Sequence, residues 1–287
     1  MQRPFLRLSV LWMCLLGWAT AQSTFPKPGA ASDAGTTPFP AVGPPQSPTL
    51  AAAVSTSTPL IAPAVLPRMA PELALQVCRG RSIVQTAHLA SYSVTTVIRA
   101  QLPDTSQSGE FELQQSYVAP HTLAFKAVHF TGDVFVKTNI ITRLLQSEVD
   151  HVQKDEPSLN AISPANYKFS YKGTSEVDGR LVHVYQVKPR EKRPSLFKGR
   201  IFVDAFRGSL VRVEGKPAKS PSLFIKKIDF VQDYADIGNF TFPVHIHSEA
   251  RARIVGRTVV DVYQRDYQPV ADTVTDASVA SLRSLQP

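Results

Sequence analysis

From Tyr167 to Val213 apolar and polar residues alternate with the period of a β-strand. Tyr167, Phe169 and Tyr171 interleave with Lys168, Ser170 and Lys172, so one row faces a core and the other faces water. Asp178-Gly179 predicts a tight turn, because glycine takes positive φ without a Cβ clash and Asp tolerates the left-handed region. The run from Leu181 to Val187 is β-branched and aromatic on both faces, which predicts a strand covered on both sides. Pro189 removes a backbone donor and ends it. Ile201 to Asp204 and Leu210 to Val213 follow, with Gly208 between them. The pattern is an antiparallel meander.

The same alternation extends in both directions. Met69 to Gln85 predicts a helix with Pro71 in its first turn and a stripe of Leu73, Val77, Ile83 and Val84. Ser91 to Leu102 predicts a strand with Tyr92, Val94, Thr96 and Ile98 on one face. Phe111, Leu113, Gln115 and Tyr117 mark the next strand, and Leu123, Phe125, Ala127 and His129 the one after. Between Thr138 and Lys154 the period becomes helical. Ile140, Ile141, Leu144, Leu145, Val149 and Val152 form a stripe, Thr138 or Asn139 caps its start, and Arg143, Glu148, Asp150 and Lys154 fall elsewhere on the wheel. Further on, Phe224, Ile228 and Phe230 alternate. Phe240, Phe242, Val244 and Ile246 then face away from His245 and His247, and Val260 and Val262 share a face. Nine to eleven strands follow from this count. A single antiparallel sheet of that size must curl, close or split. The expected fold is mainly β: a curled antiparallel sheet with helices covering its concave face.

Composition divides the 287 residues into three parts. Residues 1–21 read as a cleavable signal peptide, with Arg3 and Arg7 ahead of an apolar run from Leu8 to Trp18 and Ala19-Thr20-Ala21 at the cleavage site. Cys14 lies inside the apolar run, and its surroundings lack the pattern of a lipid-attachment site. Residues 22–70 are rich in Pro, Ala, Ser and Thr and predict a disordered linker, read as a spacer or as a partner-binding tether. Residues 71–287 form the β domain. The expected location is the periplasm. After cleavage only Cys78 remains of the two cysteines. The domain therefore has no internal disulfide, and Cys78 is read as a small buried apolar residue or a thiol free to pair between chains. The formal charge of +8 suits peripheral contact with an anionic membrane surface or an acidic ligand, and is also an ordinary aid to solubility. No nucleic-acid-binding motif is present.

Motifs for catalysis are absent from the sequence: there is no phosphate-binding glycine loop, nucleophile elbow or paired Cys motif. His245 and His247 lie on one strand face and could hold a metal, but no third ligand is evident, and a plain polar face explains them. Asp229, Asp233 and Asp236 read as strand-face and turn residues. Arg251 and Arg253 share a face and read as solvated or as contacts for an anionic head group. No cofactor is expected, and the chain is not read as an enzyme.

Several short motifs resemble the bacterial outer-membrane lipoprotein-sorting proteins of the LolA/LolB-like group. They are Asn166-Tyr167-x-Phe169, Gly173, Asp178-Gly179-Arg180, Val184-x-x-Val187-x-Pro189, Leu196-Phe197-x-Gly199-x-Ile201-x-Val203-Asp204, Val211-Arg212-x-Glu214-Gly215 and Pro221-Ser222. Gly238-x-Phe240-x-x-Pro243 and Tyr263-x-x-Asp266-Tyr267 complete the set. The resemblance covers about 165–267 well and 73–164 in outline. It implies an unclosed β-barrel around an apolar cavity that accepts a lipid or a lipoprotein acyl chain, as carrier or receptor. On that reading helix 138–154 is a lid bearing Ile141, Leu144 and Leu145, and Phe169, Tyr171, Val184 and Phe202 line the cavity. The alternative is an envelope interaction or scaffold protein with a filled core and a Pro-rich tether that docks a protein partner.

Overall fold

The computed structural model describes residues 67–154, 157–220, 225–253 and 256–272. The signal peptide, nearly all of the linker, Phe224 and the polar end after 272 lie outside the described residues. Helix α1 spans Pro71–His88 and leads into strands β1 (Leu89–Leu102), β2 (Gln107–Val118) and β3 (Thr122–Gly132). A helical run follows: α2 (Val134–Val136), a π-helical turn (Lys137–Ile141), α3 (Thr142–Lys154) and α4 (Pro157–Asn160). The meander comes next, as β4 (Tyr167–Val177), β5 (Arg180–Pro189), β6 (Phe197–Asp204) and β7 (Leu210–Pro217). It continues through β8 (Ile225–Ile237), β9 (Phe240–Ala252) and β10 (Gly256–Ala271).

All ten strands belong to one antiparallel sheet in the order β3-β2-β1-β10-β9-β8-β7-β6-β5-β4. Every neighbouring pair is a sequence hairpin except β1 with β10, where Ile98 lies opposite Val262. β3 and β4 are the two edges, so the sheet is open. The helical run connects these edges, and its buried side lies on the sheet. The Asp178-Gly179 turn has the predicted form, with φ of 48° and 74°, as a two-residue hairpin loop of mirror-image type requires.

Alternation sorts the side chains into two layers. The main core lies under the helices and holds Ile98, Leu102, Leu113, Tyr185, Val187, Ile201, Val213, Phe230, Ile246 and Val262 from the sheet, with Ile140, Ile141 and Leu144 from the helical run. A smaller cluster of Val177, Val182, Val184, Phe202 and Val211 packs on the opposite, outer face of β4–β7. That second cluster is why β5 carries apolar residues on both faces.

Four expectations are corrected. The stripe of α1 faces water at Leu73, Ile83 and Val84, and the helix buries Ala74 and Leu75 instead. It is held by polar contacts: Arg81 donates to Asp236 at 2.8 Å, and the Gln85 amide makes bonds of 3.0 and 2.8 Å to both backbone groups of Thr241. The helical run starts at Val134, not Thr138. Its start is pinned by the Asp133 carboxylate, which accepts from the Ser108 backbone N–H at 2.8 Å, and Asn139 sits inside the run, donating to the Phe135 carbonyl. A bulge in β3 moves the register from Glu112↔His129 to Leu113↔Ala127. The phase therefore changes, and Phe130 rather than His129 meets Phe111 in the core, with ring centroids 5.9 Å apart. Finally, Glu148 is buried rather than elsewhere on the wheel: four residues after Leu144 and three after Leu145, it shares their side of the helix.

Candidate functional site

The candidate site is the contact between the helical run and the concave face of β1, β2 and β10. Ile141, Leu144 and Leu145 are all buried against it. They come together because residues three and four apart share one side of a helix. The π-helical turn just before α3 adds a residue to the local repeat, a feature that concentrates at functional positions.

The floor beneath is not wholly apolar. Thr96, Gln115 and Gln264 are all buried there. Gln115 Oε1 accepts from Thr96 Oγ1 at 3.2 Å and from Gln264 Nε2 at 3.3 Å. Gln115 Nε2 donates to the Tyr92 hydroxyl at 3.3 Å and to Glu148 Oε1 at 3.5 Å. Glu148 Oε2 and Gln264 Oε1 are buried with no hydrogen-bond partner among the described residues. Burial pushes the Glu148 carboxyl up to about 8, and the Gln115 amide offsets only part of that. Near neutral pH the group is therefore a neutral acid with one O–H to donate. An acid placed this way costs stability, since each buried polar group without a partner costs about 1–3 kcal/mol.

The other expected lining residues divide between two faces. Phe169 packs against the main core, where the Arg79 guanidinium lies 5.0 Å from its ring centre. Tyr171 is on the same face but is half exposed, and its hydroxyl bonds to His183 Nδ1 at 3.2 Å. His183 Nε2 lies 3.0 Å from the Met69 carbonyl. A carbonyl only accepts, so Nε2 carries the proton, and Nδ1 accepts from Tyr171. Tyr171 thus anchors the entry to α1. Val184 and Phe202 face each other across β5 and β6 but belong to the outer cluster. Their reading as inward lining is corrected, because the next pair along, Tyr185 and Ile201, is the one that faces the core.

Outside this region, His245 and His247 sit on the outer face as part of an ionic lattice. His247 Nδ1 is 2.8 Å and His245 Nε2 3.2 Å from the Asp261 carboxylate. Asp233 accepts from Arg212 and lies 3.4 Å from His245 Nδ1. Among the described residues no set of three or more His, Cys, Asp or Glu side chains is arranged to hold a metal ion. Cys78 is half-buried against the main core, and burial pushes its thiol up to about 12. It is a packing residue with little thiolate at neutral pH.

Sequence reasoning missed Glu148, Gln115 and Gln264 as a group. The available signal was a Gln on the apolar row of β2, between Leu113 and Tyr117, which predicts a polar partner across the core.

Comparison with known proteins agrees in region. Residues 158–268 match the model of a family of unknown function, DUF5686. This is nearly the same stretch that carries the sequence resemblance. A sequence comparison with curated proteins gives no match. Among solved structures, the chain is similar to a domain described as an outer-membrane lipoprotein-sorting protein from Vibrio parahaemolyticus. The identity is 11%, the TM-score is 0.37, and the alignment covers 75% of this chain and 98% of that one. A DUF1329 family protein from Desulfovibrio piger gives 10% identity, a TM-score of 0.37 and coverage of 75% and 98%. A LolA superfamily protein from Nitrosomonas europaea gives 9% identity, a TM-score of 0.35 and coverage of 70% and 93%. The fold class itself rests on the strand order: an open ten-stranded antiparallel sheet with helices on its concave face.

Proposed function

We propose that this chain is a non-enzymatic binding protein of the bacterial envelope that holds a lipid or lipoprotein acyl chain between the helical run 134–154 and the concave face of the sheet, as a carrier or receptor in lipoprotein sorting. The observation that carries the reading is the buried Glu148 carboxyl, with one oxygen unpartnered, set with Thr96, Gln115 and Gln264 inside a largely apolar helix–sheet contact. A helix serving only as core would gain stability from an apolar residue there. A neutral acid beside Gln115 and Gln264 instead offers a donor and acceptors to the polar end of an amphipathic ligand. The alkyl part would replace the side of the helix bearing Ile141, Leu144 and Leu145. Each CH₂ taken from water contributes about 0.8 kcal/mol, so a long chain gives useful affinity without any reaction.

Native mass spectrometry of the exported protein, purified without detergent and followed by lipid extraction, tests this. A reproducible added mass that extracts as an acyl lipid is expected, and Glu148→Leu lowers its occupancy while the fold is kept. A clean apo mass, with no uptake of offered phospholipid or acylated peptide, overturns it and leaves the reading of an interaction protein with a filled core.

A further inference from the structure

The outer face of the meander carries a row of four lysines, one from each of four adjacent strands. Lys168 on β4 lies directly opposite Lys188 on β5. Lys198 on β6 lies directly opposite Lys216 on β7. Lys188 and Lys198 each stand one residue beyond the paired Val187 and Gly199, so antiparallel geometry brings the two halves into one row. Like charges directly opposite each other destabilise a sheet. All four lysines are exposed. Only Lys216 has an ion pair, with Asp229 at 3.1 Å; Lys168, Lys188 and Lys198 have none among the described residues.

Protection of an open sheet edge accounts for Lys168, which is on the edge strand β4. It does not account for Lys188, Lys198 and Lys216, which are on interior strands. These three instead border a groove of about 1070 Å³, together with Lys192 from the β5–β6 loop. Its floor includes Gly199, Gly215 and Ala218, so the floor is low and the ammonium groups stand above it. Asp229 and Glu249 line the groove from β8 and β9, and Glu214 from β7 two residues before Lys216; each is tied to a cation: Lys216 with Lys227, Arg257, and Arg200. The free positive charge is therefore concentrated at one rim.

We infer that this rim docks the chain on an anionic phospholipid surface through its phosphate head groups. Four lysines spaced by about 4.8 Å per strand extend over roughly 14 Å. That is wider than one small anion and suits an array of phosphates. Lysine is a compact point charge that reads phosphate without fixed geometry. A protein partner would instead favour aromatic and free Arg anchors; Arg200, beside the row, is already held by Glu214. A single-stranded nucleic acid would call for aromatic stacking platforms, and the aromatic rings lining the groove are Phe230, buried on the concave side, and the His247 imidazole, held by Asp261. The surface does not depend on the concave face, so a protein with a filled core would dock equally well.

The test is co-sedimentation of the exported full chain with vesicles of phosphatidylglycerol and phosphatidylcholine, and with vesicles of phosphatidylcholine alone. Binding is expected only to the anionic vesicles and weakens sharply in 0.5 M salt. At about fivefold per lysine, the double reversal Lys188→Glu/Lys198→Glu lowers binding by roughly 25-fold or more. Its melting temperature is expected not to fall, since the reversal relieves the lysine row. Equal binding by wild type and variant, or equal binding to both vesicle types, overturns the proposal. Release by millimolar inorganic phosphate at constant ionic strength also overturns it, by showing a small-anion site in place of a docking surface.

Discussion

Glu148 Oε1 lies 3.5 Å from Gln115 Nε2, and this contact joins the covering helix to the middle of the sheet. It gives the fold a sign in its response to pH. The folded-state carboxyl titrates at about 8, against an ordinary value of 4.5. Below pH 4.5 both folded and unfolded chains hold the proton, and the contact costs least. As pH rises from 4.5 to 8 the unfolded chain has lost its proton while the folded chain keeps it, so stability falls, by at most about 1.4 kcal/mol per pH unit. Above pH 8 the loss levels off. Glu148→Gln keeps the shape and removes the proton. Urea midpoints for wild type should decline from pH 5 to pH 8, and the decline should be much shallower in Glu148→Gln. Identical slopes would show that the carboxyl is hydrated in the folded state.

Gly199 and Gly215 face each other across β6 and β7. A Cβ on Gly199 would fall 1.8 Å from the Glu214 carbonyl oxygen and 2.7 Å from Gly215 Cα. Both obstacles are backbone, so no side chain can swing aside. Gly199→Ala should cost about 3 kcal/mol or more, the range of severe overpacking, read as a lowered urea midpoint. A loss under about 1 kcal/mol would mean the two strands separate freely at this point.

On the proposed function, the two apolar clusters should separate stability from ligand binding. Phe202→Ala and Leu144→Ala each empty a packed site and should cost about 2–5 kcal/mol. Only Leu144 belongs to the covering helix over the concave face. Lipid retained on purification should be unchanged in Phe202→Ala and about tenfold weaker in Leu144→Ala, when both are assayed well below their melting temperatures. Equal loss in the two variants would place the ligand somewhere other than the concave face.

Much of this architecture was legible in the chain. The period-2 runs gave the meander and the buried rows of β1 and β2. Asp178-Gly179 gave its turn, and the switch to a helical stripe at Ile140 and Ile141 gave the covering helix. These are local properties: backbone sterics and side-chain direction act over a few residues, so the sequence records them directly. Face assignment was different. A single bulge at Glu112/Leu113 sends Phe130 inward in place of His129, and a period of two gives no sign of which side is concave. Val184 and Phe202 were misplaced for that reason.

What only the tertiary structure decided is which distant residues share an environment. Glu148 shares the helix side of Leu144 and Leu145, but only the sheet brings Gln115 onto that side, and Gln264 closes the group from 149 residues further along the chain than Gln115. The lysine row likewise exists only once four strands are placed side by side in register. The sequence by itself determined the elements, because each is held by near neighbours. Pairing, curvature and register determined the two surfaces, because burial and charge depend on neighbours that the chain order does not reveal.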